Sequence, residues 1–320
     1  MRCRSILTVV SLVGLAVRLG ASLLVTGFKR AVTLLGGWST LLGLGWGMSV
    51  NRPVWAPAEV DPAKPSVARV YDYYLGGSHN FESDRAFGEQ ALAHFPGLRQ
   101  VLRDNRIFLR RVVLHLIAEG IDQFLDLGSG IPTVGNVHEV AQEANPQARV
   151  VYVDHDLVAV AHSLALLRGN DRATAIVGDI RKPRAVLADA VATGLLDLDR
   201  PVAVLFIAVL HFMDDADRPA SLVEEYMNAT APGSYLAVSH AMRVDQPGVL
   251  NAAKVYDQAR SPNAFRFRSR GEIEALFGDL TVVDPGVVLV PLWRPELTDD
   301  AVVAQPGADY PGLVGLGRRD

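Results

Sequence analysis

The chain has 320 residues, 49% hydrophobic and 21% charged, with a formal net charge of -4, which suits one large domain or two small ones with a core that needs no staples. Its single cysteine, Cys3, excludes a disulfide framework, a thiolate metal site and a cysteine nucleophile in the rest of the chain. Residues 1–47 carry Arg2, Arg4, Arg18, Lys29 and Arg30 and no acid, so removing that +5 leaves -9 on residues 48–320, without the broad basic footprint from which nucleic-acid binding draws its affinity.

Residues 5–17 are uncharged and mostly apolar behind two arginines, the layout of a signal peptide, and residues 31–50 form an uncharged run long enough to span a bilayer. Gly36, Gly37, Gly43, Gly45 and Gly47 weaken a spanning helix by up to about 1 kcal/mol each. Three readings are open for this extension: an inner-membrane anchor through residues 5–50, a cleaved export signal, or a non-native stretch ahead of a start at Met48. The abrupt change to prolines and acids at Met48 favours the last, and with it a cytoplasmic protein.

Residues 48–120 are expected to form a strap and helices on the substrate side. Pro53, Pro57, Pro62 and Pro65 resist regular helix. The stretch YDYYLGGSHNF, residues 71–81, is either a lead-in packing aromatics on the sheet edge or a lid hinged at Gly76 and Gly77, with Tyr71, Tyr73 and Asn80 as its substrate-side residues. Helices are expected over 84–95 and 98–119, the second with Leu102, Leu109, Val113, Leu116 and Ile117 on helical spacing. Arg99, Arg103, Arg106 and Arg110 on the same helix read as a solvated face, or as an attractor for an anionic acceptor or a partner protein.

After Gly120 the texture changes. Short apolar runs at 124–127, 150–153, 174–177, 202–207 and 235–238 read as buried strands, separated by helical segments at 137–144, 158–167, 184–192, 219–228 and 249–259. Strand then helix, repeated, predicts an α/β fold on a doubly wound, mostly parallel sheet. Asn136 with Glu139 and Ser269 with Glu272 carry capping signatures, and the first starts a helix six residues beyond Gly130, too far for a tight dinucleotide turn.

Three acids close three strands: Asp126 in FLDLGSG, Asp154 in VVYVD and Asp179 in TAIVGD. Ligands of open parallel sheets sit beyond the carboxyl ends of strands, where Gly128 and Gly130 let a ligand approach the backbone closely. Asp154, 24 residues after Gly130, suits a ribose of NAD(P) or of S-adenosylmethionine. The dinucleotide fingerprint needs a glycine where Thr133 stands, and it would set a diphosphate beside Asp126. S-adenosylmethionine instead brings an α-ammonium for Asp126 and an α-carboxylate for the loop N–H groups, so it is favoured over the cofactor of an NAD(P)-dependent oxidoreductase.

In order and spacing, FLDLGSG, VVYVDHD, IVGDI and AVLHFMDD resemble the four motifs of class I S-adenosylmethionine-dependent methyltransferases. PSVARVYDYYLGGSHNFESDR, NRIFLRR, NVHEVAQ and PGSYLAVSHA resemble more closely the actinobacterial S-adenosyl methyltransferase family, over about residues 50–320. The resemblance implies a Rossmann-like seven-stranded sheet across 121–320, closed by an antiparallel hairpin from LTVVDPGVVLV and LVGLGRR. It implies Asp126, Gly128, Ser129 and Gly130 around the methionine moiety, Asp154 and His155 at the ribose, and Asp179 and Ile180 at the adenine. Pro132 stands where the general pattern has a third glycine.

Methyl transfer chiefly needs nucleophile and methyl held in line, with a base only where the acceptor must lose a proton. His211 in AVLHFMDD is the candidate base, its plainer reading a histidine hydrogen-bonded at the strand–helix junction, and His240 is a second choice. The expected partner is a small-molecule acceptor, with no metal and no nucleic acid. A non-catalytic module that holds the cofactor is the alternative from another class.

Overall fold

The computed structural model describes residues 60–132, 135–258, 265–298, 306–307 and 309–320. The hydrophobic extension and most of the proline strap lie outside the described residues. No helix among the described residues is long and apolar enough to cross a membrane.

Three helices come first: α1 (Val67–Tyr74), α2 (Glu82–His94) and α3 (Leu98–Ala118). The α/β part then alternates β1 (Gln123–Leu127), α4 (Val137–Ala144), β2 (Arg149–Asp154), α5 (Leu157–Leu166), β3 (Ala173–Val177), α6 (Pro183–Ala192), β4 (Ala203–Ile207), α7 (Pro219–Asn228) and β5 (Tyr235–Ala241). It closes with α8 (Pro247–Gln258), α9 (Arg270–Glu274), β6 (Thr281–Val282), β7 (Val288–Leu289) and β8 (Gly312–Arg318). Each expected strand and helix is present to within a few residues; α1, hidden in sequence by its run of tyrosines, is additional.

The sheet runs β3-β2-β1-β4-β5-β8-β6, with β7 also on β8. The first five strands pair in parallel and β8 is antiparallel to β5. The expected closing hairpin departs from the simple pattern. Its edge strand is broken into β6 and β7, both lying antiparallel to β8, so eight strands fill seven positions among the described residues.

Period-two alternation sends each parallel strand into two cores. Phe124, Val150, Tyr152, Ala203 and Leu205 face one layer, covered by Phe108, Leu109, Val112 and Leu116 of α3. Leu125, Leu127, Val151, Val153, Val204 and Phe206 face the other, against α6 and α7. Burial on both faces explains the near-continuous apolar runs. A third cluster joins α1, α2 and α8 through Val70, Tyr74, Phe87, Ala252 and Tyr256.

Candidate functional site

The same alternation aims the acids. Asp126 shares the face of Phe124, and Asp154 that of Tyr152, so both carboxylates lie on the side covered by α3. They open into a cavity of about 300 Å³ at the carboxyl ends of the strands. Gly128, Ser129, Gly130, His155, Asp179, Ile180 and Tyr71 line it as well, at the point where strand order reverses between β1 and β4.

Asp126 is only 6% exposed, and no hydrogen bond reaches its carboxylate among the described residues. Burial raises its pKa to about 7, against the pull of the Arg106 guanidinium. Asp154 is held from two sides: the Gly130 N–H donates to Oδ2 at 2.7 Å and the Asp156 N–H to Oδ1 at 2.8 Å. Burial raises its pKa as well. His155 is largely exposed, with Nδ1 3.5 Å from Asp154 Oδ1. Asp179 makes a forked pair with Arg181 at 2.9 and 3.0 Å, which holds its carboxyl below the usual range. The Ile180 carbonyl accepts the Tyr226 hydroxyl at 3.0 Å.

The glycine loop departs from expectation in one respect. The Gly128 and Ser129 N–H groups both donate to the Val153 carbonyl, at 2.8 and 3.1 Å, and the Gly130 N–H serves Asp154. These donors are therefore occupied with holding the loop on β2 and do not await an anion. Gly128 is needed for its shape: its φ is +73° and a Cβ would stand 2.3 Å from Val209 Cγ2. At Gly130, φ +67°, a Cβ would meet no protein atom within 4 Å, which leaves room for a ligand.

Of the arginine stripe, read in sequence as a solvated face or as an attractor for an anionic acceptor or a partner protein, one guanidinium reaches the cavity. Arg106 lines the cavity and donates to the Gly135 carbonyl at 2.8 Å. Its neighbour Asn105 donates to the Tyr71 hydroxyl at 3.1 Å. Arg103 and Arg110 are exposed.

A second cavity, about 110 Å³, adjoins the first. Val67, Tyr71, Asn105, Ala208 and Phe212 line both. Ala208, the residue after β4, has φ +56°, a strained value for alanine, fixed by its N–H donating to Ser239 Oγ at 2.8 Å. His211 lines the second cavity only. Its Nδ1 accepts the Ala241 N–H in a long 3.4 Å contact, and burial, with His240 and Arg268 nearby, pushes its pKa well below 6.5. His240 is committed on both nitrogens: Nδ1 donates to the Ala241 carbonyl at 2.8 Å, and Nε2 accepts from Arg268 at 2.8 Å. Arg268 also binds the Leu210 and Met213 carbonyls and Asp215, so it shapes the loop that carries His211. No local sequence signal marks that role.

Two of the three residues expected in a lid lie outside both cavities. The Tyr73 hydroxyl bonds Glu89, with Arg99 over its ring. Asn80 is buried in the turn after α1, donating to Asp72 and to the Gly77 carbonyl, each at 2.9 Å. Gly76 and Gly77 close that turn on the carbonyls of Tyr73 and Asp72. Tyr71 alone points to the site, because it lies on the inward side of α1.

Carboxylates at three strand ends, two of them buried and Asp126 without a hydrogen-bond partner among the described residues, fit a ligand with an ammonium and a ribose. Residues 53–319 match the model of a family described as S-adenosyl methyltransferase. A protein from Thermobifida fusca YX, provisionally named a methyltransferase, is 39% identical in sequence with a TM-score of 0.77, covering 84% of this chain and 100% of its own. A DUF574 family protein from Streptomyces avermitilis is 34% identical with a TM-score of 0.76, covering 81% of this chain and 99% of its own. No curated protein matches. The chain belongs to the S-adenosyl methyltransferase family and is an enzyme that uses S-adenosylmethionine as its cofactor.

Proposed function

We propose that the enzyme methylates a small-molecule acceptor held in the second cavity, and that neither a nucleic acid nor a membrane is its partner. One observation carries this reading: a carboxylate-lined cavity and an apolar one, uncharged among the described residues, meet at Ala208. When bound, the cofactor supplies a methyl group on a sulfonium. Asp126 offers its carboxylate to the ammonium, and Arg106 offers a guanidinium to the α-carboxylate in place of the occupied loop donors. Asp154, already oriented by two N–H groups, accepts from the ribose hydroxyls with His155 beside it. Asp179 and Ile180 border the adenine.

On the acceptor side, Tyr71 and Asn105 place polar groups where the cavities join. His211 is neutral, and the tautomer selected by its contact with Ala241 carries the proton on Nε2. In that tautomer His211 donates to the acceptor and orients it, and acting as a base requires the other tautomer. Catalysis then rests mainly on alignment. The helices before residue 121 form the acceptor-side wall, and a cytoplasmic location accords with the single cysteine.

Titration calorimetry tests the cofactor side. S-adenosylmethionine and S-adenosylhomocysteine are expected to bind and NAD to give no heat; tight NAD binding with silence from the other two would overturn the assignment.

A further inference from the structure

The second cavity restricts what the acceptor can be. None of the described residues that line it is an acid, a lysine or an arginine. Its walls are Tyr74, Phe95, Phe212, Tyr256, Phe265 and Phe267, with alanine and valine side chains from α8 between them. The rings stand in edge and tilted contact: Phe212 to Phe265 at 5.3 Å, Tyr256 to Phe265 at 5.5 Å, Phe265 to Phe267 at 5.0 Å. Such spacings leave ring faces and edges for a further ring to meet.

The polar atoms in these walls are largely taken up or confined to one end. The Tyr256 hydroxyl donates to the Tyr74 hydroxyl at 3.2 Å, so the two phenols at the far side are tied to each other by one hydrogen bond. His240 is spoken for by Ala241 and Arg268. The Tyr71 hydroxyl and the Asn105 amide lie on the border with the cofactor cavity, and His211 is next in chain to Phe212, which is on that border too. Burial keeps Tyr74, Tyr256, His211 and His240 all in their neutral forms at neutral pH.

A closed apolar cavity of about 150 Å³ holds one benzene ring; this one measures about 110 Å³, so it admits one ring at most, and that ring must extend into the cofactor cavity along the shared wall of Val67, Tyr71, Asn105, Ala208 and Phe212. We infer that the acceptor is an uncharged molecule presenting a single aromatic ring to this cavity, with its nucleophilic heteroatom at the Tyr71–Asn105 end. This inference rests on the methyltransferase reading of the adjoining cavity. A carboxylate or ammonium on the buried part of the ring would lose its hydration with no countercharge to meet it.

The test is binding of p-cresol, 4-hydroxybenzoate, tyramine and 1-heptanol to the full chain saturated with S-adenosylhomocysteine, read by calorimetry. The expected result is that p-cresol binds at least about tenfold more tightly than either charged analogue, the discrimination that follows from burying an unpaired charge, and more tightly than the alkanol. Binding of 4-hydroxybenzoate or tyramine as tight as that of p-cresol, equal binding of the alkanol, or no response to p-cresol from the loaded protein would overturn the inference while leaving the cofactor assignment intact. Failure of S-adenosylhomocysteine itself to bind would overturn both. A second variant locates the site: Ala253→Phe, which fills the cavity from α8, should abolish p-cresol binding with S-adenosylhomocysteine affinity unchanged. Retained p-cresol affinity in that variant would place the ring elsewhere and contradict the inference.

Discussion

A carboxyl group with its pKa raised to about 7 by burial is only half ionised at neutral pH, so the proposed contact of Asp126 with the cofactor's ammonium makes a pH-dependent prediction. Pairing with an ammonium favours the ionised form, so the affinity for S-adenosylmethionine should be full above about pH 7 and fall as pH drops below it. Asp126→Asn removes the charge and should weaken binding about 10- to 100-fold at pH 8, from the roughly 1.5 to 3 kcal/mol carried by a hydrogen bond to a charged group. The effect on folding has the opposite sign. A folded pKa raised above the ordinary 3.8 contributes stability below the lower value and loses it as pH rises through about 7. Without cofactor, Asp126→Asn should therefore melt above the parent at pH 8 and lose that advantage toward pH 4. A variant that bound the cofactor normally, or whose relative melting temperature did not change with pH, would remove Asp126 from this role.

At the scale of elements, α1 is tied to the cofactor loop by a buried network. Arg69 Nε donates to Asp84 at 2.8 Å and Nη1 lies 3.4 Å from Asp156. The Ser66 hydroxyl also bonds Asp156, whose N–H orients Asp154 and whose side chain caps α5 through the Val158 N–H. Arg69→Met strands two buried carboxylates and should destabilise the fold by about 3 to 5 kcal/mol in chemical denaturation, with weaker cofactor binding besides. Arg184→Met, which breaks an exposed pair with Glu225, should shift stability by less than about 1 kcal/mol. Equal effects would show that the network has no special role. Sequence displayed this layer unevenly. The strand-end acids and capping residues announce themselves locally, because strand period and capping chemistry are short-range. The inward turn of Arg106, the embrace of the His211 loop by Arg268 and the left-handed backbone at Ala208 depend on contacts between elements far apart in the chain, and no local pattern carries them. The choice between a packed lead-in and a lid for residues 71–81 was open for the same reason: the contacts that hold Tyr73 and Asn80, to Glu89 and Asp72, leave no mark beside the glycines.

For the molecule as a whole, the parallel sheet and its reversal between β1 and β4 decide where chemistry can occur. One side of that crevice gathers Asp126, Asp154 and Asp179, and on the other α1, α3 and α8 line a cavity that is uncharged among the described residues. The alternation of strands and helices made this architecture legible in advance; the broken edge formed by β6 and β7 was not, since two-residue strands leave no periodicity to detect. The measurement that tests the account most directly is a crystal structure of the protein with S-adenosylhomocysteine. The predicted result sets its amino group within hydrogen-bond distance of Asp126, its carboxylate toward Arg106, its ribose hydroxyls on Asp154 and its sulfur facing Ala208 at the mouth of the apolar cavity. A ligand bound elsewhere, or one lying in this cavity with Asp126 turned away from its amino group, would contradict it.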